Sequence, residues 1–201
     1  QSLRNLIMPT ITKDSLLTLE AYAKARAELR RAAIIQKKIR KVFIGDNILL
    51  QFEDEQTIRY QIQEMLHAEK TFDEAGILDE LEAYNPLVPD GSNWKATLMI
   101  EFTDVPERKQ KLIALRGLER HIYVQVGQHE RVYAIADEDM PRENDEKTSA
   151  IHFMRFELTQ PMVAAAKAGE CVAAGTDHPA YTLHIDEIAP ETQASLIEDL
   201  H

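Results

Sequence analysis

What this sequence lacks narrows it first. Its 201 residues include one cysteine, Cys171, which excludes an internal disulfide and any cluster held by four cysteines of the chain. Seven glycines are present, and none of them builds a phosphate-cradling loop. There is no GxSxG motif, and Cys171 stands in "GECVAAG" with no histidine beside it, so no signature of nucleophilic catalysis is visible. No apolar run approaches the roughly 20 residues that a membrane helix needs. No basic segment followed by an apolar stretch reads as a signal peptide, and the expected compartment is the cytoplasm. Cations are in deficit too. The net charge of −11 opposes non-specific binding to nucleic acid.

What is present is ordinary globular material. Hydrophobic residues make up 44% and charged residues 28%, as in folded domains rather than disordered chains. The length suits one generous domain or two small lobes. "MPTITKDSL" reads as a natural start, which makes 1–7 a non-native or upstream extension and 8–201 one α+β domain. Within it the best boundary is "YNPLVPDG" (84–91), where two prolines and a glycine separate a possible helical lobe, 8–90, from a sheet-rich lobe, 91–201.

Periodicity places the elements. A helical pattern runs from an N-cap at Thr12 to about Arg40. "NILLQFED" (47–54) alternates like a strand, with Ile48, Leu50 and Phe52 on one face. "TIRYQIQEMLHAEK" turns helical and points Ile58, Ile62, Met65 and Leu66 inward. Thr71 and Glu74 read as a capping box for the next helix. Further on, "WKATLMIEF" (94–102) alternates, and Asp104 with Glu107 starts a helix that Gly117 ends. A hairpin around Gly127 spans 121–137. The strand "AIHFMRFEL" (150–158), a short helix closed by Gly169, an extended pair near 171–175 and 180–186, and a helix from Pro190 complete the chain. The expected fold is α+β, a mainly antiparallel sheet of about six strands with a helical N-terminal half packed on it.

Charge is unevenly spread. Between Lys24 and Lys41 eight basic residues face Glu28 alone. The segment carries +7, which leaves −18 for the remainder of a chain whose total is −11. Lys24, Arg31 and Lys38 recur every seven residues, opposite a stripe of Tyr22, Ala25, Leu29, Ala32, Ile35 and Ile39. The pattern is an amphipathic helix with a basic outer face, either simply solvated or attractive to an acidic partner.

The motifs that bear on chemistry are few. Glu64 and His67 have the Glu-x-x-His spacing of di-iron carboxylate helices. A ferritin-like centre needs that motif twice, and the second match, Glu198 with His201, falls on the last turn of the chain. Zinc spacing is absent among His67, His121, His129, His152, His178 and His184. Glu64, His67, His152 and His178 are thus weak metal candidates, and no resident cofactor is expected. His152 shares a strand face with Met154, Phe156 and Leu158, where a core histidine bonded to a backbone carbonyl is the plainer reading. The loop "DEDMPRENDEKTS" (137–149) holds six carboxylates, but Pro141 and Arg142 stand where a calcium loop needs a ligand and a glycine.

The runs "RYQIQEML", "EAYNPLVPDG", "ATLMIE", "VYAIADED", "RENDEKTSAIHFMRFEL" and "DHPAY" together resemble one bacterial family, the domain of unknown function 3501. The resemblance covers about Thr10 to Leu200. It implies no activity, cofactor or catalytic residue. It does imply company, because genes of this family often lie beside rubrerythrin-like di-iron proteins and cysteine-rich iron–sulfur oxidoreductases.

Two functions from different classes follow as expectations. One is an accessory protein without its own redox centre that docks such an oxidoreductase. The other is an enzyme or binding protein for a small anionic ligand. Its cleft would join Arg59, Gln63, Glu64 and His67 on a helix with Arg142, Asn144, Lys147, His152 and Arg155 at the sheet.

Overall fold

The computed structural model describes residues 10–201, so the expected start at Met8 and the extension 1–7 lie outside the described residues. The chain divides into two compact units, one of residues up to 36 together with 54–88, the other of residues 37–53 together with 89–201. No helix of the described residues is long and apolar enough to cross a membrane.

The first unit is helical. A single 3₁₀ turn, Lys13–Ser15, follows Thr12, and the long helix α1, Leu19–Ile39, begins only after it. The expected continuous helix from Thr12 is therefore broken. Thr18 Oγ1 accepts from the Ala21 N–H and restarts the helix, as a threonine cap does. Helix α2, Glu55–Glu69, is capped by Asp54, whose side chain accepts from Thr57 N. Helix α3, Glu74–Tyr84, is capped by Asp73 through Gly76 N. That corrects Thr71: the cap sits two residues later, where an aspartate reaches the first free N–H groups. The core is Ile58, Ile62 and Leu66 of α2 against Leu81, Val88 and Ile11. Asn85 fastens Ile11 by bonding both its N–H and its C=O.

The second unit contains two antiparallel sheets where sequence pattern indicated one. Its strands are β1 Lys41–Ile44, β2 Ile48–Glu53, β3 Asn93–Ile100, β4 Ile122–Val126, β5 Val132–Tyr133, β6 Ile135–Ala136, β7 Ile151–Glu157, β8 Val172–His178 and β9 Tyr181–Ile185. They order as β1-β2-β3-β7-β6 and β5-β4-β8-β9. The expected 121–137 hairpin is split. Tyr133 pairs with Tyr123 in the four-stranded sheet, yet two residues later Ile135 pairs with Arg155 in the five-stranded one. Three helices, α4 Val105–Ala114, α5 Gln160–Lys167 and α6 Pro190–Ile197, belong to this unit. One apolar cluster draws on both sheets, with Leu50, Trp94, Leu98 and Phe156 from the first and Ile122, Val124, Val172 and Ala174 from the second. Trp94 is fully buried, and its indole N–H donates to the Leu196 carbonyl of α6 at 2.9 Å.

Candidate functional site

The nine residues expected to line one cleft divide between the units. Four lie on α2 and five on or just before β7. In the helical unit Glu64 is a hub. Its two carboxylate oxygens accept from Tyr22 Oη at 2.6 Å, Arg26 Nε at 2.9 Å, Arg26 Nη2 at 3.0 Å and Tyr60 Oη at 3.2 Å. The Arg26 guanidinium, helped by the two phenols, overcomes partial burial and holds the Glu64 carboxyl at about 2. Burial and the neighbouring Glu64 push the Tyr22 phenol up. Every lone pair of Glu64 is thereby committed within the unit, which explains this half of the Glu-x-x-His motif without a metal. His67 sets its ring edge against Tyr22, with centroids 5.7 Å apart. Gln63 is buried and bonds the Leu17 N–H at 2.8 Å and carbonyl at 3.3 Å. Arg59 reaches Ser15 and pairs with Glu55. Among the described residues no group of three or more His, Cys, Asp or Glu side chains could hold a metal ion.

Glu64 makes the helical unit sensitive to acid. A carboxyl depressed in the folded state stabilises above its unfolded value and loses that contribution as pH falls through the folded one. Glu64→Gln is expected to cost about 2 kcal/mol near neutrality and almost nothing near pH 2. Thermal melts of both proteins across that range check this, and a constant gap would show that Glu64 keeps its ordinary pKa.

Helix α1 is turned relative to the stripe that its hydrophobic residues define. The residues that meet partners are Tyr22, Arg26, Ala33, Gln36 and Arg40. Arg26 goes to Glu64, Gln36 Nε2 to Asp54 at 2.6 Å, and Arg40 to Asp199. Ile35, expected inside, is 63% exposed, and Ile34 is 56% exposed. At roughly 100° per residue these isoleucines lie on either side of the Lys24–Arg31–Lys38 ridge. Arg31 and Lys38 are exposed, whereas Lys24 pairs with Glu20.

In the sheet unit, the acidic loop is pinned to His152. This histidine is fully buried. Its Nδ1 lies 2.6 Å from Asp137 Oδ2, and its Nε2 lies 2.8 Å from Thr148 Oγ1 and 3.0 Å from the Ser149 carbonyl. Asp137 adopts a left-handed φ of 54°, a conformation that aspartate tolerates better than most residues. Its other oxygen accepts from Phe153 N at 3.0 Å and Arg142 Nη1 at 2.9 Å. Arg142 also forks onto Asp139 at 2.7 and 2.8 Å and stacks 4.6 Å from the Phe153 ring centre. The Arg142 guanidinium holds Asp139 at about 2. Beside this, buried Glu119 has its pKa raised, by burial first, while Glu143 is lowered. Burial pushes Glu143 up, but bonds from Arg120 and Glu119 outweigh it.

The remaining candidates are separately accommodated. Asn144 Oδ1 accepts from the Glu146 and Lys147 N–H groups, both at 2.9 Å, and closes the loop tip. Lys147 is exposed on an open polar groove of about 400 Å³ that Arg142, Asn144 and Thr148 also line. Arg155 pairs with Glu138 and Glu157. His178 Nε2 lies 2.8 Å from the Arg116 carbonyl, and its Nδ1 accepts from Ala180 N at 3.0 Å. Those two bonds close a turn around the ring.

One constellation escaped sequence reasoning. Register aligns Tyr133, Tyr123, Gly175 and His184 in one row across the four-stranded sheet. Tyr123 Oη lies 2.7 Å from His184 Nδ1, and Arg131 caps the Tyr123 ring at 4.1 Å. Only glycine fits at 175, because a Cβ there would stand 2.5 Å from both Tyr123 Oη and the Leu183 carbonyl. Asp177 accepts from Tyr133 Oη at 2.6 Å and lies 2.7 Å from His121 Nδ1. Those bonds lower its pKa. The signal in the sequence was Tyr123, Tyr133 and His184 on three of the four strands, unreadable without the register.

Comparison with known proteins adds kinship and no activity. No curated protein matches the chain. A crystal structure of a novel protein of unknown function from Burkholderia pseudomallei is 54% identical, covers 96% of this chain and 100% of that one, and superposes with a TM-score of 0.91. The family model described as protein of unknown function (DUF3501) matches residues 10–200. With the match running almost end to end, this chain belongs to the DUF3501 family.

Proposed function

We propose that this chain is a cytoplasmic accessory protein that docks an acidic partner through the outward face of α1, the partner supplying the redox chemistry. The observation that carries this reading is Ile34 and Ile35, each more than half exposed, flanking the cationic ridge of Arg31 and Lys38 on either side. Exposed apolar side chains beside arginine are what interfaces bury. Cations along such a ridge steer a partner of opposite charge and set its register. The commitment of Glu64 to Arg26, Tyr22 and Tyr60 also supports the reading, because the di-iron motif is then spent on structure. By family resemblance, a rubrerythrin-like protein or an iron–sulfur oxidoreductase encoded beside the gene is the partner to try.

Titration of each purified neighbour against this protein, at low and high salt, tests the reading. Binding is expected to weaken as salt shortens the Debye length below about 10 Å. Arg31→Glu with Lys38→Glu is expected to weaken it at least about tenfold at low salt, and Ile34→Ser with Ile35→Ser to weaken it at both salts. Binding that ignores salt and charge reversal, or no binding by either neighbour, refutes the reading.

A further inference from the structure

Between α1 and α2 the helical unit encloses a cavity of about 120 Å³. An engineered cavity of about 150 Å³ in another protein stays dry and binds benzene, so this one has room for a single six-membered ring. Leu29, Ala33 and the tyrosines 22 and 60 are among its walls. The polar atoms of those walls are already spoken for. Both phenols donate to Glu64, and the Gln63 amide bonds the Leu17 backbone. Carbon is what remains to line the slot, and a water inside would lack the two to four polar partners it needs. Ala32 and Ala33 keep the space open, since a larger residue at either position would fill it.

The mouth selects a head group. Arg59 lies there, but its charge is matched by Glu55 and two of its N–H groups go to Ser15. Gln56 is exposed at the rim, and its side-chain amide has no hydrogen-bond partner among the described residues. An amide both donates and accepts, and so does a hydroxyl. A carboxylate would instead approach Glu55 and Glu64, each already paired with its own arginine, while Arg30, which acts on Tyr60 through space, stands out in solvent.

We propose that this slot binds a small, mainly apolar molecule of one-ring size that carries a neutral hydrogen-bonding group, phenol being the simplest member of the class. The site differs from the docking face and stands whether or not that face binds a partner. It departs from the anionic ligand expected at a cleft with Arg59, because that arginine is paired with Glu55.

Amide NMR spectra recorded during titration with phenol, and separately with benzoate, test the proposal. Saturable shifts confined to α1, α2 and residues 15–17 are expected, with a Kd of about 1 mM, reasonable for a ligand of about seven non-hydrogen atoms. Benzoate is expected to bind at least about tenfold more weakly. Ala33→Leu fills the slot and is expected to abolish the saturable shifts while the spectrum stays dispersed. Should that variant fail to fold, Ala32→Leu at the exposed edge gives the same readout. Gln56→Ala is expected to weaken phenol about threefold. The absence of saturable shifts with phenol, or equal binding by both filled variants, overturns the site. Benzoate binding as tightly as phenol overturns the neutral class.

Discussion

Replacing Arg40 with alanine is expected to remove about 4 kcal/mol from the stability of the sheet unit. The guanidinium is 1% exposed, and all five of its N–H groups are used. Nε donates to the Phe52 carbonyl at 3.2 Å. Nη1 donates to the Ser195 carbonyl and hydroxyl, both at 3.1 Å. Nη2 donates to the Glu53 carbonyl at 3.1 Å and to Asp199. Truncation would leave the Asp199 charge buried without its cation and strand three carbonyls at once. Since whole domains are stable by only about 5–15 kcal/mol, the loss is a large share. Trp94 is the only tryptophan of the sequence and is buried in this unit, so its fluorescence during urea unfolding reads the effect directly. Arg40→Met is expected to be nearly as costly. Adding Asp199→Asn to it should recover at least about half, because the orphaned charge goes with its partner. A loss below about 1 kcal/mol in Arg40→Ala would mean that water replaces the guanidinium.

The inward face of α1 was misread in the sequence, and Arg40, just past the end of that helix, shows why. Hydrophobic periodicity assumes that apolar residues face the core, and it selected Ala32 and Ile35. The inward stripe actually runs through Arg26, Gln36 and Arg40, whose heads reach carboxylates at Glu64, Asp54 and Asp199. Such polar pairing is written far apart in the chain, since Arg40 and Asp199 are 159 residues apart. The isoleucines left outside are the residues on which the docking proposal stands. On α2 the periodicity read Ile58, Ile62 and Leu66 correctly as core, although Met65 is only half-buried and the polar Thr57 and Gln63 are buried with them.

The α+β class and most element positions were legible because turns and caps are local. Asp104, Thr159 and Pro190 start helices α4, α5 and α6 as their chemistry dictates. The division into two sheets was not legible. It depends on the chain leaving one sheet at Tyr133 and entering the other at Ile135, and no residue type marks that change. The Tyr123–His184 pair was hidden for the same reason, as it exists only once β4, β8 and β9 are in register. Among the candidate site residues, type and spacing picked out Glu64, Arg142 and His152 as chemically loaded. Their partners, Arg26 with two tyrosines, Asp139, and Asp137, could be found only by folding the chain.

His152→Ala is expected to cost about 3 kcal/mol in the same fluorescence assay and to loosen the 137–149 loop. Asp137 Oδ2 and the Ser149 carbonyl, which meet opposite sides of the ring, are both acceptors, so each ring nitrogen is asked to donate. One buried side chain thus ties the first and last residues of the loop together. Without it, Asp137 keeps Arg142 and Phe153 N but loses a partner, and its left-handed backbone loses part of what holds it. Trypsin gives a local readout, because Arg142 and Lys147 both lie in the loop. Cleavage there is expected to accelerate in the variant before global unfolding sets in. If stability and cleavage both stay within error of the parent, His152 does not hold the loop.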